Sequence, residues 1–148
     1  MTTSSYDYTT YIEGSAERVW GALTSPDDTA RFWGHSNRSD WKRGSRWAHV
    51  RPDGSEIVDV EGTVLESRAP NRLTITFDQP HGEPSIVTFE IEGFHEIVRF
   101  RVIHKQLPDE SDWAEVAHAW PAVAANLKTL IETGETLSSA PWEAPRKS

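Results

Sequence analysis

The feature that most constrains the fold is an apolar stripe near the carboxyl end of the chain, in residues 120–133. Apolar residues recur there at steps of three and four positions, which is the period of an amphipathic helix. Pro121 suits the first position of such a helix, and Gly134 suits the left-handed residue that ends one. Fourteen helical residues span about 21 Å, enough to lie across a whole sheet. The stripe is formed by Trp120, Val123, Ala124, Leu127, Leu130 and Ile131.

Helical spacing of apolar residues also extends upstream of this stripe, as far as Trp113. Because proline has no amide hydrogen, Pro121 cannot donate to the carbonyl of Ala117, so the helix either bends at Pro121 or begins there. The side opposite the stripe carries polar residues, Asn126 and Lys128 among them, and is predicted to face solvent.

Residues 40–104 show the pattern of an antiparallel sheet. Apolar and polar side chains alternate along several segments, and turn sequences such as Pro52-Asp53-Gly54 separate them. This alternation is typical of strands with one buried and one solvated face. In two of the segments the predicted buried face carries Val87, Phe89, Ile91, Val98, Phe100, Val102 and His104.

The first third of the chain predicts a strand and two short helices. Residues 6–12 are rich in β-branched and aromatic residues, as strands are. Ser15 and Ser25 are suitable N-cap residues, and Pro26 follows Ser25 at the first helical position. The second helix should stop near Gly34.

Together, the elements along the chain predict an α+β fold in which a curved antiparallel sheet of about six strands wraps around a long C-terminal helix. Residues 1–134 would form one domain, and residues 135–148 a flexible tail.

Composition excludes several classes of function. The net charge of −8 over 148 residues repels nucleic acid and anionic lipid, so neither is a predicted partner. There is no cysteine and no apolar run of membrane-spanning length, which favours a cytoplasmic protein. The six histidines show no ligand spacing, and no phosphate or dinucleotide fingerprint is present. We therefore predict neither a metal site nor a cofactor.

Specific stretches of this chain resemble one known superfamily. Residues 12–23 read I-E-G-S-A-E-R-V-W-G-A-L and are similar to its opening I-x-A-x-x-E-x-V-W-x-A-L, with Gly14 where the pattern usually has alanine. Residues 62–66 and 70–73 are similar to its G-x-V-L-E and P-x-R-L motifs, and residues 120–134 to its last helix. The superfamily is that of the START-like and birch-pollen-allergen-like (SRPBCC) proteins. Over residues 6–134 the chain most resembles single-domain bacterial relatives of the activator of heat-shock-protein-90 ATPase. The resemblance implies a helix-grip fold.

A ligand site is predicted between the sheet and the last helix. The chain has seven tryptophans, which favour a large aromatic core, a lined pocket or both. His104 should point inward and could orient a ligand or move a proton, although a plain core histidine is the simpler interpretation. Ala124 is small enough to leave room for a ligand. The predicted ligand-binding residues are Trp33, Trp47, Phe89, Phe100, His104, Trp120, Ala124 and Leu127.

Three functions remain open from the sequence. We favour binding of a small apolar or aromatic molecule, with no residue assigned a catalytic role. The resemblance also implies an enzyme of the cyclase or dehydratase type, which would need His104 beside another polar group. Regulation of a chaperone ATPase is a further alternative, by analogy of fold alone.

Overall fold

The alternating segments form seven strands in the computed structural model, which describes residues 4–80 and 82–143. The strands are β1 (Ser4–Glu13), β2 (Ser36–Arg38), β3 (Arg46–Val50), β4 (Val58–Arg68), β5 (Arg72–Phe77), β6 (Ser85–Phe94) and β7 (Ile97–Leu107). They pair antiparallel in the order β1-β7-β6-β5-β4-β3-β2. The strand beyond the six predicted is β2, which is only three residues long and therefore shows no alternation.

The helices are α1 (Ala16–Thr24), α2 (Pro26–Phe32) and α3 (Glu110–Thr133), followed by a 3₁₀ turn at Pro141–Glu143. As predicted, Ser15 and Ser25 cap α1 and α2, each accepting a hydrogen bond from a backbone N–H three residues on. The apolar sheet face and α3 share one core, which confirms the α+β helix-grip arrangement.

Among the described helices, none combines the length and apolarity needed to cross a membrane.

The last helix begins ten residues earlier than the stripe alone suggests, at Glu110 rather than Trp120. Asp109 caps it by accepting a hydrogen bond from the N–H of Asp112, and Pro121 lies inside it. Of the two alternatives left open at Pro121, a helix start there is therefore wrong, and the helix continues through the proline. A proline costs the helix one hydrogen bond, and the residues on both sides of it pack in the core, among them Trp120 before it and Val123 after it.

Asn126 was expected on the solvated side of α3 but is only 1% exposed. Its amide group donates to the carbonyl of Phe32, 3.3 Å away, and its side-chain oxygen accepts from the N–H of Leu137 at 2.8 Å. The end of α2 and the segment after α3 cover this side of the helix, so α3 is enclosed on more than one face.

The segment after α3 also contacts the turn that follows α2, where the indole of Trp142 lies against Gly34. A methyl group at Gly34 would come within 2.8 Å of that ring. Residues 144–148 of the predicted tail lie outside the described residues, and the division into a domain of residues 1–134 and a flexible tail stays a prediction.

The edge strand β1 is covered by α3, which bonds to its backbone at three points. The indole N–H of Trp113 donates to the carbonyl of Ser5, and the amine of Lys128 donates to that of Tyr11. The N–H of Glu13 donates to the carboxylate of Glu132. An edge strand whose polar groups are already bonded is a poor template for pairing with another chain.

Gly62 permits a close approach between β4 and β5. A methyl group at this position would lie 1.8 Å from the carbonyl oxygen of Thr76. The same oxygen accepts a hydrogen bond of 2.8 Å from the indole N–H of Trp47. Gly62 is the glycine of the G-x-V-L-E motif. Because it has no side chain, the carbonyl of Thr76 can lie close to β4 and accept the hydrogen bond from Trp47.

We expect Gly62→Ala to lower the free energy of unfolding by about 3 kcal/mol or more, because the clash is with backbone that cannot move without displacing Trp47. Gly21→Ala is the control, since no atom lies within 4 Å of a methyl group there. That change in α1 should raise stability by about 0.5–1 kcal/mol. Urea unfolding of both variants measures the two effects, and a Gly62→Ala protein as stable as the wild type would contradict the close approach.

Candidate functional site

The eight predicted ligand-binding residues lie together between the sheet and α3. Trp120, near the middle of α3, has its ring centroid 5.2 Å from that of Trp33, 5.7 Å from that of Phe89 and 6.1 Å from that of His104. Trp33 is half-buried, and the other seven are buried. The structure thus brings the predicted residues into one aromatic cluster, while their role in binding stays a prediction.

Most of this cluster is packed side chain against side chain. Ala124, expected to leave room, is 1% exposed and belongs to the apolar core. A cleft of about 180 Å³ reaches the cluster at one end, beneath the first turns of α3. Of the predicted residues, His104 lines this cleft. The cleft therefore connects the packed interior to the surface.

His104 forms two side-chain hydrogen bonds and is 2% exposed. The indole N–H of Trp120 donates to its Nδ1 at 3.1 Å, and its Nε2 lies 2.8 Å from Oγ of Ser85. Indole nitrogen is a donor only, so Nδ1 must carry the lone pair and the proton of the neutral ring must be on Nε2. His104 therefore donates to Ser85.

Burial lowers the pKa of His104 to about 4. Protonation would also place a second N–H opposite the indole N–H of Trp120, so the neutral ring is favoured by both burial and hydrogen bonding. For His104 to activate Ser85 as a nucleophile, Nε2 would have to accept a proton rather than donate one. The bond from Trp120 opposes that tautomer, so this arrangement does not favour His104 as a base toward Ser85.

The cleft has apolar walls, a polar inner end and an acidic mouth. Its walls are Val60 and Phe77 from the sheet and Val116 from α3, and Ser85 and His104 form the inner end. Three carboxylates also line it: Asp78, Asp112 and Glu115. The arrangement can hold a compact apolar molecule with one polar group directed inward.

Sequence reasoning did not identify the residues that line this cleft apart from His104. Val116 lies on the helical spacing upstream of Pro121, so the pattern gave a signal for its position but not for its role. Ser85 follows a proline at the start of β6, and no spacing rule marks it. Its importance comes from its position on the strand next to that of His104, where its Oγ lies 2.8 Å from Nε2 of His104.

A second polar cluster lies at the β2–β3 end of the sheet. His35 bonds to Asp59 at 2.7 Å, and its ring stacks on that of His49 with centroids 3.9 Å apart. Arg51 makes two hydrogen bonds to the same Asp59, and His49 bonds to Asn37 through Nδ1. Burial is the main cause that lowers the pKa of His49 to about 3, with the nearby charge of His35 acting in the same direction.

This second cluster offers no prepared metal site. Over residues 4–80 and 82–143, no group of three or more acidic or histidine side chains is placed to hold a metal ion. A larger depression of about 850 Å³ lies on the outer face of the sheet, beside Tyr11, Phe94 and Ile97. None of the predicted ligand-binding residues lines this depression, so the cleft at His104 remains the candidate site.

Comparison with known proteins agrees with this fold. Residues 13–132 match the model of the family described as Activator of Hsp90 ATPase homolog 1-like protein. No curated protein matches the chain significantly.

Three solved structures illustrate the similarity of fold. A protein from Bordetella parapertussis is 26% identical, with a TM-score of 0.73 over 92% of this chain and 78% of that one. CalU16 from Micromonospora echinospora is 22% identical, with a TM-score of 0.72 over 88% and 77%. An HSP90 activator from Plasmodium falciparum is 17% identical, with a TM-score of 0.66 over 78% and 86%.

The two buried histidines predict how stability depends on pH. In the unfolded chain a histidine has a pKa of about 6.5, whereas folding lowers the pKa of His104 to about 4 and that of His49 to about 3. As the pH falls below about 6.5, the unfolded state takes up protons that the folded state does not, so stability decreases. At pH 5 the loss relative to pH 7 should approach about 2 kcal/mol for each histidine.

Urea unfolding at pH 7 and pH 5 measures this loss, and His104→Gln and His49→Gln should each remove part of it. Equal stability of the wild-type protein at the two pH values would contradict the neutral, buried state of these rings. NMR titration of the two imidazoles provides an independent check, since neither should become protonated between pH 7 and pH 5.

Proposed function

The chain belongs to the Activator of Hsp90 ATPase homolog 1-like family, and we propose that it is a cytoplasmic protein that binds a small apolar or aromatic molecule in the cleft at His104. The observation that carries this proposal is the composition of the cleft. Apolar side chains of Val60, Phe77 and Val116 surround an inner end formed by Ser85 and His104. Such a combination of apolar walls and few, fixed polar groups is characteristic of small-molecule sites.

The size of the cleft sets the size of the ligand. Sites for drug-sized molecules usually measure about 300–1,000 Å³, and this cleft measures about 180 Å³. Behind it, Trp120 packs against Trp33 and Phe89, and displacing those rings would cost much of the core. A compact molecule with about one aromatic ring therefore fits better than an extended lipid or a fused ring system.

Binding fits His104 better than catalysis does. An enzyme of the cyclase or dehydratase type would use a histidine that can exchange a proton near neutral pH. The pKa of His104 is lowered to about 4 by burial, and Trp120 already bonds to its unprotonated nitrogen. A chaperone ATPase is the alternative partner, supported by the name of the family and by the structural similarity to an HSP90 activator.

The proposal is tested by filling the cleft from α3. We expect Val116→Phe to weaken binding of compact aromatic compounds at least about tenfold, because the added ring occupies their volume. Ala125→Phe, which adds the same ring on an exposed position of α3, should leave binding unchanged. Two-dimensional NMR with a panel of single-ring aromatic compounds measures both affinity and location.

Chemical-shift changes should centre on Phe77, Ser85, His104 and Val116. Changes that centre instead on the outer depression at Tyr11 and Phe94 would overturn the assignment of the site. So would equal affinities of the two phenylalanine variants.

A further inference from the structure

We propose that the cleft selects an uncharged molecule that carries a hydrogen-bond-accepting oxygen, such as a carbonyl, and that Ser85 donates its hydroxyl proton to that oxygen. The proposal rests on the proposed function, because it concerns the polarity of the ligand in the same cleft. It makes Ser85 a specificity-determining residue and His104 and Trp120 the residues that position it.

The first step is the direction of the hydrogen bonds. They run from the indole N–H of Trp120 to Nδ1 of His104, and from Nε2–H of His104 to Oγ of Ser85. An indole nitrogen cannot accept, so it sets the tautomer of His104, and that tautomer requires Ser85 to accept. The direction is thus set by Trp120, whose indole N–H can donate but not accept.

The second step is the hydroxyl proton of Ser85. A hydroxyl that accepts one hydrogen bond still has its own proton to donate. Ser85 is 2% exposed and lines the cleft, and in the part of the chain that the structure describes its side-chain hydrogen bond is the one from His104. Leaving a buried donor unpaired costs about 1–3 kcal/mol, so an oxygen of the ligand that accepts this proton gains a comparable advantage over an apolar group.

The third step is the charge of the ligand. Asp112 and Glu115 line the mouth of the cleft. Burial is the main cause that raises the pKa of Asp112, and the neighbouring charges of Asp109 and Glu115 raise it further. Of the three carboxylates, Asp78 forms an ion pair with Arg46 at 3.0 Å, and Glu115 also has an interaction partner. A carboxylate or phosphate ligand would approach these carboxylates and then meet Ser85 and His104, which are both neutral, at the inner end. Among the described residues that line the cleft there is no lysine or arginine, which disfavours an anion.

The test compares three probes of similar size. Acetophenone carries a carbonyl oxygen, α-methylstyrene replaces that oxygen with a CH₂ group in the same shape, and benzoate carries a negative charge. We expect acetophenone to bind the wild-type protein about fivefold more tightly than α-methylstyrene, as one neutral hydrogen bond allows, and benzoate to bind most weakly. NMR titration gives the three affinities.

Two variants assign the preference to its source. In Ser85→Ala, acetophenone and α-methylstyrene should bind equally, because the donor is gone. In Trp120→Phe, His104 is free to move its proton to Nδ1 and accept from Ser85, so the preference should also decrease although Ser85 is present. Thermal unfolding of each variant verifies that it is folded before its affinities are compared.

The outcomes separate this proposal from the proposed function. If acetophenone and α-methylstyrene bind the wild-type cleft equally, or if Ser85→Ala keeps the preference, the role of Ser85 is overturned while binding in the cleft stands. If benzoate binds more tightly than acetophenone, the proposal of an uncharged ligand is overturned. If neither neutral probe binds, the proposed function fails, and the role of Ser85 fails with it.

Discussion

The hydrogen bond from Trp120 to His104 is the constraint on which both the core and the candidate site depend. It joins the middle of α3 to the inner face of β7, at 3.1 Å, between two residues that are each less than 5% exposed. In such surroundings an unpaired polar group is costly, so the bond favours one relative placement of helix and sheet. Because its donor is an indole, it also decides which nitrogen of His104 carries the proton.

The position of the cleft follows from how α3 is attached. The second half of the helix is bonded on two sides. Lys128 and Glu132 bond to the backbone of β1, and Asn126 bonds to the end of α2 and to Leu137 in the segment after α3. Its first turns are held to β1 by Trp113, on the side away from Phe77 and Ser85. A gap therefore remains where the helix passes the ends of β5 and β6, and His104 lies at its base.

Much of the fold could be predicted from the sequence because it depends on local patterns. The caps at Ser15 and Ser25 and the inward direction of His104 follow from the spacing of neighbouring residues, and the structure confirms them. The sequence leaves the start of α3 open, because the apolar spacing upstream to Trp113 indicates a longer helix whereas Pro121 suits a first helical position; in the structure the helix continues through Pro121. The cleft could not be predicted, since it depends on Ser85 and Val116 meeting across elements that are remote in sequence.

The tryptophans illustrate why an apolar pattern shows which face is buried but not what the buried residues do. A surplus of indoles fits a pocket and a packed core equally well. Among the described residues, however, four indoles bond across elements through their N–H: Trp41 to Thr24, Trp47 to Thr76, Trp113 to Ser5 and Trp120 to His104. Three of the acceptors are backbone carbonyls, so those indoles join elements without offering anything to a ligand. The fourth acceptor is the side chain of His104. By donating to Nδ1, Trp120 places the proton of His104 on Nε2 and so makes His104 the donor to Ser85. Composition cannot reveal this difference between Trp120 and the other three indoles.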